Sequence, residues 1–296
     1  IIQTHSKNNT LSNTIPEIII LTDDNYNDYF VNQIFNINKT AEAIIGSDIY
    51  NKNMIFNHAI TLKNPRNYII YNGTITINST ETSNLNNLKL NITDDRKTVI
   101  NIMTGKVNIN NANITQTNKE KQAQTTYVNT DSTANIINTN ITLKAPEINS
   151  EDNTKVSAAI YSKGIVNTNH TNININTTKT EENGKITAII YPYKIISSTI
   201  TINAKNNAIG IINTNNQNNP YIEYTIFNIY SNNQTIGILE EKEILINTTA
   251  ILFNIRSSNI TLASPITIGI KIINTNAHIE NNIINTNGTN NIPIYI

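Results

Sequence analysis

Acidic side chains, which acid-base catalysis and hard-metal binding require, are few in this chain of 296 residues. All eight Asp residues lie at or before position 152. The densest mixed cluster is Asp94-Asp95-Arg96-Lys97, which we interpret as a solvated loop between structural repeats. Glu240-Glu241-Lys242-Glu243 offers three carboxylates to a cation, but adjacent carboxylates in a loop usually do not chelate one. We therefore expect neither cluster to be catalytic.

The remaining residues that could take part in catalysis or metal binding form no motif. The four His residues, His5, His58, His170 and His278, are far apart and lack metal-ligand spacing, and the chain has no Cys. No nucleophile motif or glycine-rich phosphate loop is present. We predict that the chain is not an enzyme and uses no metal or other cofactor. A polysaccharide lyase or hydrolase is the remaining enzymatic alternative.

Tyrosine is the best candidate for ligand binding, because the chain has 13 Tyr against 5 Phe and no Trp. An exposed Tyr ring offers contact area and a hydroxyl at low entropic cost. Five tyrosines fall within forty residues, and we predict that they form an aromatic platform for a sugar or a partner protein: Tyr191, Tyr193, Tyr221, Tyr224 and Tyr230. The alternative is that several of them fill crevices between loops and strands.

Asn-x-Ser/Thr triplets, the acceptor sequence for N-linked glycans, are frequent. Many arise by chance in a chain so rich in Asn and Thr, so their frequency alone is weak support. The predicted glycosylation sites are Asn38, Asn72, Asn78, Asn91, Asn113, Asn140, Asn169, Asn176, Asn233, Asn247, Asn259 and Asn287, and Asn8 begins one more triplet.

The composition indicates which elements must carry these residues. Ile, Asn and Thr occur 61, 59 and 40 times and make up more than half of the chain. Ile and Thr favour strands, Asn favours turns, and none of the three is a strong helix former. Lys+Arg and Asp+Glu balance at 21 each, so no basic excess points to nucleic acid. No apolar run is long enough for a membrane-spanning helix. We expect an all-β protein of the kind common outside the cell.

Short phrases recur with a loose period of about 28 residues, which is typical of a repeat architecture. One phrase is Ile-Ile-Asn-Thr-Asn, as at 136–140 and 272–276. A second places Ile beside a small residue and before Gly or Tyr, as in Ala158-Ala-Ile-Tyr161 and Thr235-Ile-Gly-Ile238. Between these phrases apolar and polar residues alternate, as is typical of a strand with one buried face, for example in Ser198-Thr-Ile-Thr-Ile202. Each repeat therefore has room for two or three short strands.

Three architectures compete for such repeats. A sandwich needs frequent two-residue glycine turns, and the chain has nine Gly in all. A propeller blade needs a longer repeat. We therefore predict a right-handed parallel β-helix of about nine or ten coils, with Ile inside, Thr on the outer strand faces and Asn at the corners. Corner Asn residues either stack into amide ladders or simply tolerate a left-handed φ.

The first 43 residues differ from the repeats. Glu17-Ile-Ile-Ile-Leu21 is a continuous apolar strand, and the next apolar residues, from Tyr29 to Phe35, have helical spacing. We predict a capping segment over 1–43, a strand plus a short amphipathic helix, which covers the open end of a solenoid. The β-helix occupies 44–296 and ends on Ile292-Pro-Ile-Tyr-Ile296, as expected of a solenoid truncated at its C-terminal end.

Four stretches in this order carry a family resemblance: Asp23-Asp-Asn-Tyr-Asn-Asp-Tyr-Phe30, Gly46-Ser-Asp-Ile-Tyr-Asn-Lys-Asn-Met-Ile55, Ala59-Ile-Thr-Leu-Lys-Asn-Pro65 and Tyr71-Asn-Gly-Thr-Ile-Thr-Ile77. The chain resembles the adhesin-like surface proteins of methanogenic archaea, which are large, secreted and rich in Asn, Thr and Ile. The resemblance implies parallel β-helix repeats of the pectate-lyase-like kind, a cell-surface location and an adhesive role. It implies no catalytic residue.

The expected function is therefore attachment to glycans, host cells or other microbes through a surface glycan or a cell-surface protein. We expect the chain to be monomeric, or continued end to end by further repeats. The main alternative is a stiff stalk that presents another domain. Binding to ice or another crystal surface requires many Thr-x-Thr rungs in register, and the two Thr-Ile-Thr strands, Thr74-Ile-Thr76 and Thr199-Ile-Thr201, are too few.

Overall fold

The computed structural model describes residues 18–37, 39–152, 155–214, 219–241 and 252–296. Almost all of its regular structure is β-strand. The N-terminal segment contains β1 (Ile18–Leu21), α1 (Tyr26–Tyr29), β2 (Phe30–Val31) and β3 (Ile34–Phe35).

The next fifteen strands form coils 1 to 5, three strands to a coil. They are β4 (Ala41–Ile45), β5 (Ile49–Tyr50), β6 (Met54–Phe56), β7 (Ile60–Lys63), β8 (Ile70–Tyr71), β9 (Ile75–Asn78), β10 (Ser83–Asn86), β11 (Lys89–Ile92), β12 (Thr98–Thr104), β13 (Lys106–Asn110), β14 (Asn113–Thr117), β15 (Gln124–Val128), β16 (Thr133–Ile137), β17 (Asn140–Ala145) and β18 (Ser157–Ser162).

Coils 6 to 10 repeat the same plan. Their strands are β19 (Ile165–Asn169), β20 (Asn172–Thr177), β21 (Lys185–Ile190), β22 (Lys194–Ile196), β23 (Thr199–Asn203), β24 (Asn207–Thr214), β25 (Tyr221–Glu223), β26 (Ile226–Tyr230), β27 (Gln234–Glu241), β28 (Leu252–Arg256), β29 (Asn259–Ala263), β30 (Ile266–Ile273), β31 (Asn276–Glu280), β32 (Ile283–Asn287) and β33 (Asn290–Tyr295).

Three long sheets run along the molecule. Sheet 1 contains β1 and the first strand of every coil, sheet 2 the second strand of every coil, and sheet 3 the hairpin β2–β3 and the third strand of every coil. Among the described residues, each coil pairs with the next in parallel through all three sheets. The predicted all-β parallel β-helix and its number of coils are therefore confirmed, with ten coils described. Its right-handedness stays a prediction.

The core consists of columns of equivalent aliphatic side chains. In sheet 2, for example, the register stacks Leu90, Ile114, Ile141, Ile173 and Ile200, none of which is more than 1% exposed. Ile suits these positions because its branched Cβ has few rotamers and packs well on a pleated surface. Burial of such a side chain contributes about 1.5–3 kcal/mol. The high Ile content thus follows because the same kind of buried position recurs in successive coils.

The second repeat phrase marks a place where the backbone of one coil approaches the next. Gly210, Gly237 and Gly269 occupy equivalent positions in β24, β27 and β30. A Cβ on Gly237 would clash with the carbonyl oxygen of Gly269 and lie 2.9 Å from Cγ2 of Ile260. The phrase therefore requires a residue without a side chain at this position in the later coils.

The corners between sheets 1 and 2 have a left-handed residue in eight consecutive coils. The φ angles lie between 47° and 57° at Asn87, Asn111, Asn138, His170, Ser197, Tyr224, Ser257 and Asn281. In seven of these eight coils the next residue turns inward and is buried, as at Thr171 and Ser198. In five consecutive coils this inner residue is Thr or Ser. There the hydroxyls bond the backbone: the Thr171 amide donates to Ser198 Oγ (3.3 Å), and Ser198 Oγ donates to the Ile196 carbonyl (2.9 Å). Asn serves at four of these corners as a residue that tolerates a left-handed φ.

Asn side chains do form a ladder, but it runs along a strand face. On the outer face of sheet 1, Asn167 donates to Asn135 (2.9 Å), Asn135 to Asn108 (2.8 Å) and Asn108 to Asn84 (2.9 Å). The expected placement, Thr on the outer strands and Asn at the corners, is therefore wrong for these residues. Equivalent strand positions are also about 4.8 Å apart, so an amide ladder fits there as well as at a corner.

The N-terminal segment differs from the predicted amphipathic helix. The helix is one turn, and the residues after it form an antiparallel hairpin that turns at Asn32 and Gln33, both at positive φ. Phe30 stacks on Tyr26 with the ring centroids 4.4 Å apart, and its ring lies 5.8 Å from that of Phe56 in the first coil. β1 pairs in parallel with β4, whose residues lie on both sides of the predicted boundary at 43. The boundary itself stays a prediction.

No helix in the described part of the chain is long and apolar enough to cross a membrane.

The glycine column yields a stability prediction. We expect Gly237→Ala to lower the free energy of unfolding by about 1–3 kcal/mol, because the added methyl group forces two coils apart. Chemical denaturation monitored by circular dichroism measures the change. Thr261→Ala, on the outer face of the neighbouring coil 9, is the control and should change stability by less than about 0.5 kcal/mol. Equal effects of the two substitutions would contradict the close backbone approach.

Candidate functional site

The candidate site is a cleft of about 550 Å³ on the outer face of sheet 3, across coils 3 to 5. Its walls come from β12, β15 and β18 and from the segments that precede and follow them. The lining residues are Lys97, Thr98, Asn101, Met103, Gln122, Gln124, Tyr127, Lys155, Tyr161 and Lys163. A cleft of this size accommodates a few sugar units or a comparable small ligand.

The parallel register brings aromatic rings together along this face. Asn101, Tyr127 and Tyr161 are direct partners in β12, β15 and β18. The rings of Tyr127 and Tyr161 are nearly parallel, with centroids 5.7 Å apart, and Tyr191 of the next coil lies 6.1 Å from Tyr161 at a tilt of 52°. Tyr161 is only 9% exposed, whereas Tyr127 and Tyr191 are half-buried. We call Tyr127, Tyr161 and Tyr191 the tyrosine track. It is exposed mainly at its two ends, Tyr127 and Tyr191.

The cleft is positively charged. Its lining contains three exposed lysines and neither Asp nor Glu. Lys97 and Lys163 form no ion pair within the described residues, and Lys155 lies 3.6 Å from Asp152 with both side chains exposed. Such an exposed pair is weak and is screened by salt, so it leaves the cleft cationic. Clustered lysines beside aromatic rings and amides suit a ligand that carries carboxylate or sulfate groups among hydroxyls.

The five tyrosines predicted as one platform lie on different faces. Tyr191 extends the track on sheet 3, and Tyr193 is exposed just before β22 of sheet 1. Tyr224 occupies a left-handed corner between sheets 1 and 2, and Tyr230 ends β26 of sheet 2. Tyr221 lies in sheet 1. The structure does not bring these five rings into one plane, and their role in binding stays a prediction.

Tyr221 belongs to a closed polar cluster. Its ring lies between Lys194 Nζ and the Arg256 guanidinium, 5.7 and 5.6 Å from the centroid. The Tyr221 hydroxyl donates to Glu223 (2.8 Å), and Arg256 donates to both Glu223 (2.6 Å) and Tyr221 (2.9 Å). The hydrogen bond from Arg256 lowers the pKa of Glu223. These groups satisfy one another, so the cluster ties β22, β25 and β28 together.

Tyr127 and Tyr161, which line the cleft, are not among the tyrosines predicted from the sequence, because they lie 34 residues apart and outside the stretch with the most tyrosines. A signal was nevertheless present. The repeat phrases around 126–128, 158–161 and 188–191 each contain one of these three neighbouring tyrosines. Alignment of those phrases by register, rather than by local density of Tyr, identifies the track.

The Asp94–Lys97 cluster is more ordered than a solvated loop. Asp94 and Lys97 are exposed, but the Arg96 side chain is only 18% exposed and pairs with Asp94. Arg96 also donates to Asn53 Oδ1 (2.9 Å), Thr74 Oγ1 (2.6 Å) and the Asn72 carbonyl (2.6 Å). Its guanidinium therefore connects coils 1, 2 and 3.

The Glu240–Glu243 cluster is only partly described. Glu240 is buried and accepts a hydrogen bond from the Asn213 side chain (2.7 Å), Glu241 is half-buried, and residues 242 and 243 lie outside the described residues. In the described ranges no three His, Cys, Asp or Glu residues lie close enough to hold a metal ion.

Ten of the predicted glycosylation sites are described, and eight of them lie within strands rather than loops. Asn72 and Asn233 are the two outside strands, while Asn38 and Asn247, like Asn8, fall outside the described residues. Several strand positions are engaged with neighbouring coils, as where Asn172 donates to Asn140 (2.9 Å). Glycan occupancy at these sites stays a prediction.

A scan against protein-family models, a search of curated proteins and a search of solved structures found no match to this chain.

The Arg96 cluster yields a pH prediction. The hydrogen bond from Arg96 lowers the pKa of Asp94 in the folded protein. The interaction therefore stabilises the fold above the unfolded-state pKa of about 3.9, and this contribution is lost as the pH falls through the lower folded-state pKa. We expect Asp94→Asn to cost at most about 1 kcal/mol at neutral pH, because Asp94 is 37% exposed, and to cost progressively less as the pH falls below about 3.9.

Thermal unfolding of wild type and variant across this pH range measures the difference. Asp131→Asn is the matched control, since Asp131 is exposed and forms no ion pair within the described residues. A difference between wild type and Asp94→Asn that persists at low pH would show that the side-chain shape, not the charge, matters.

Proposed function

We propose that this chain is an adhesin-like, secreted or cell-surface β-solenoid that attaches to glycans on host cells or other microbes. The observation that carries the proposal is the cationic, tyrosine-lined cleft on sheet 3. Aromatic rings contact the apolar faces of sugars, amides such as Asn101 bond hydroxyls, and Lys97, Lys155 and Lys163 attract acidic substituents. We infer that the cleft prefers glycans that carry carboxylate or sulfate groups.

The fold and the composition support this proposal. A parallel β-helix with few charged residues agrees with the resemblance to the adhesin-like surface proteins of methanogenic archaea, and we propose that relationship and an extracellular location together. Attachment requires a rigid body that presents a binding face, and the stacked sheets provide one. No catalytic residue is required for this role.

A stiff spacer is the second candidate function, and the continuous stacking of ten coils favours it. At about 4.8 Å per coil the described solenoid is roughly 48 Å long. Such a rod holds a partner domain away from a surface without binding anything itself. The two functions differ in one respect, which is whether this chain alone adheres to cells or glycans.

The test is binding of the purified chain to cells and to a panel of soluble acidic and neutral glycans. We expect preferential binding to acidic glycans that weakens as salt is added. Replacement of Lys97, Lys155 and Lys163 by Gln should weaken this binding about tenfold or more, which is about 1.4 kcal/mol. Lys63, Lys89 and Lys106, on sheets 1 and 2 and outside the cleft, provide the matched triple Gln control, which should bind like wild type.

Two further outcomes distinguish the alternatives. If the intact chain binds neither cells nor glycans, the adhesin proposal fails and the spacer remains. If it binds but the cleft variant is unaffected, attachment uses another surface. Replacement of Tyr191, Tyr193 and Tyr221 by Ser then tests the tyrosines predicted from the sequence.

A further inference from the structure

The outer face of sheet 2 is a regular array of uncharged polar side chains. The twelve outward positions of β14, β17, β20 and β23 hold eleven Thr or Asn residues and one charged residue, Lys144 at the rim. The central column consists of Thr115, Thr142, Asn174 and Thr201. The two Thr-Ile-Thr phrases of the sequence therefore understate this face, because Asn or a Thr in another phrase occupies equivalent positions in the neighbouring coils.

The array is periodic in two directions. The register across these four strands is continuous and has no bulge. Neighbouring strands are about 4.8 Å apart, and alternate residues along a strand are about 6.6 Å apart. The face is thus a lattice of hydrogen-bonding groups held by a stiff backbone.

Most of these groups have no hydrogen-bond partner among the described residues. Only two side-chain bonds cross this part of the face in the described residues, from Asn172 to Asn140 (2.9 Å) and from Asn203 to Asn176 (3.3 Å). The side chains of the central column, from Thr115 to Thr201, make none, although each is at least partly exposed. The equivalent column of sheet 1 differs, because its Asn residues bond one another as a ladder.

We propose that this face is a second binding surface, for an uncharged polysaccharide whose chains lie side by side in an ordered array. Asn and Thr donate and accept hydrogen bonds, as sugar hydroxyls do, and a face with one charge at its rim has no preference for an ionic ligand. Each contact is weak, but many form together, and the rigid lattice loses little conformational entropy on binding. The proposal is independent of the cleft on sheet 3.

Glycosylation and this binding exclude one another. Asn113, Asn140 and Asn176 are predicted glycosylation sites and lie on the same face. A glycan on any of them would cover the lattice. The binding protein is therefore the form that carries no glycan at these three positions, and unglycosylated recombinant protein is the material to test.

The experiment measures depletion of this unglycosylated chain from solution by microcrystalline cellulose and by chitin. We expect adsorption to at least one of these solids and little competition from short soluble oligosaccharides of the same sugar, which engage few rungs at a time. The double variant Asn174→Lys with Thr201→Lys places two charged side chains in the lattice and should lower adsorption at least about tenfold. Thr133→Lys, an outward strand position of sheet 1, is the matched control and should adsorb like wild type.

A second variant guards against a folding defect. Thr115→Val, Thr142→Val and Thr201→Val together keep the side-chain shape and the strand preference but remove three hydroxyls, so adsorption should fall while the circular dichroism spectrum is unchanged. Absence of adsorption to both solids overturns the proposal, even if the protein adsorbs to ice. Adsorption that both face variants leave intact also overturns it. Loss of glycan binding in the cleft variant does not affect this result.

Discussion

Parallel, in-register pairing of each coil with the next is the constraint on which the whole structure depends. It places each side chain about 4.8 Å from its equivalents above and below, so every position along a coil becomes a column along the molecule. Inside, a column accepts only side chains that stack on themselves without voids or clashes, which explains both the Ile columns and the glycines at Gly210, Gly237 and Gly269. The unusual composition follows because the same packing requirement holds in each of the ten described coils.

The same constraint divides the polar residues among three roles. Asn amides bond one another on sheet 1, hydroxyls bond the backbone at the inner corners, and most side chains of the sheet 2 lattice have no hydrogen-bond partner among the described residues. Like charges in one column would repel at close range, so charged residues are few, and where they share a column they alternate. Glu223, Arg256 and Glu280 are successive partners in sheet 1.

The pattern of apolar and polar residues along the sequence is sufficient to predict stacked parallel strands. Which side chains meet on a face depends on the register between coils, which that pattern does not give. Alternation in segments such as 198–202 and the loose period predict stacked parallel strands, because both are properties of short stretches. The stack of Tyr127 on Tyr161 depends on loops of unequal length between coils, so no fixed spacing reveals it. The helical spacing up to Phe35 was misleading, because a left-handed turn at Asn32 and Gln33 turns the same apolar residues into a hairpin.

At the left-handed corners between sheets 1 and 2, the side chain varies from coil to coil while the fold stays the same. Because each corner residue points away from the coil, the position accepts Asn, His, Ser and Tyr in turn. A bulky side chain there carries a conformational cost of roughly 1–2 kcal/mol, and Tyr224 adopts this conformation as a residue that is 59% exposed. The molecule thus has one edge along which surface chemistry is free to diversify, coil by coil, while the interior stays constant.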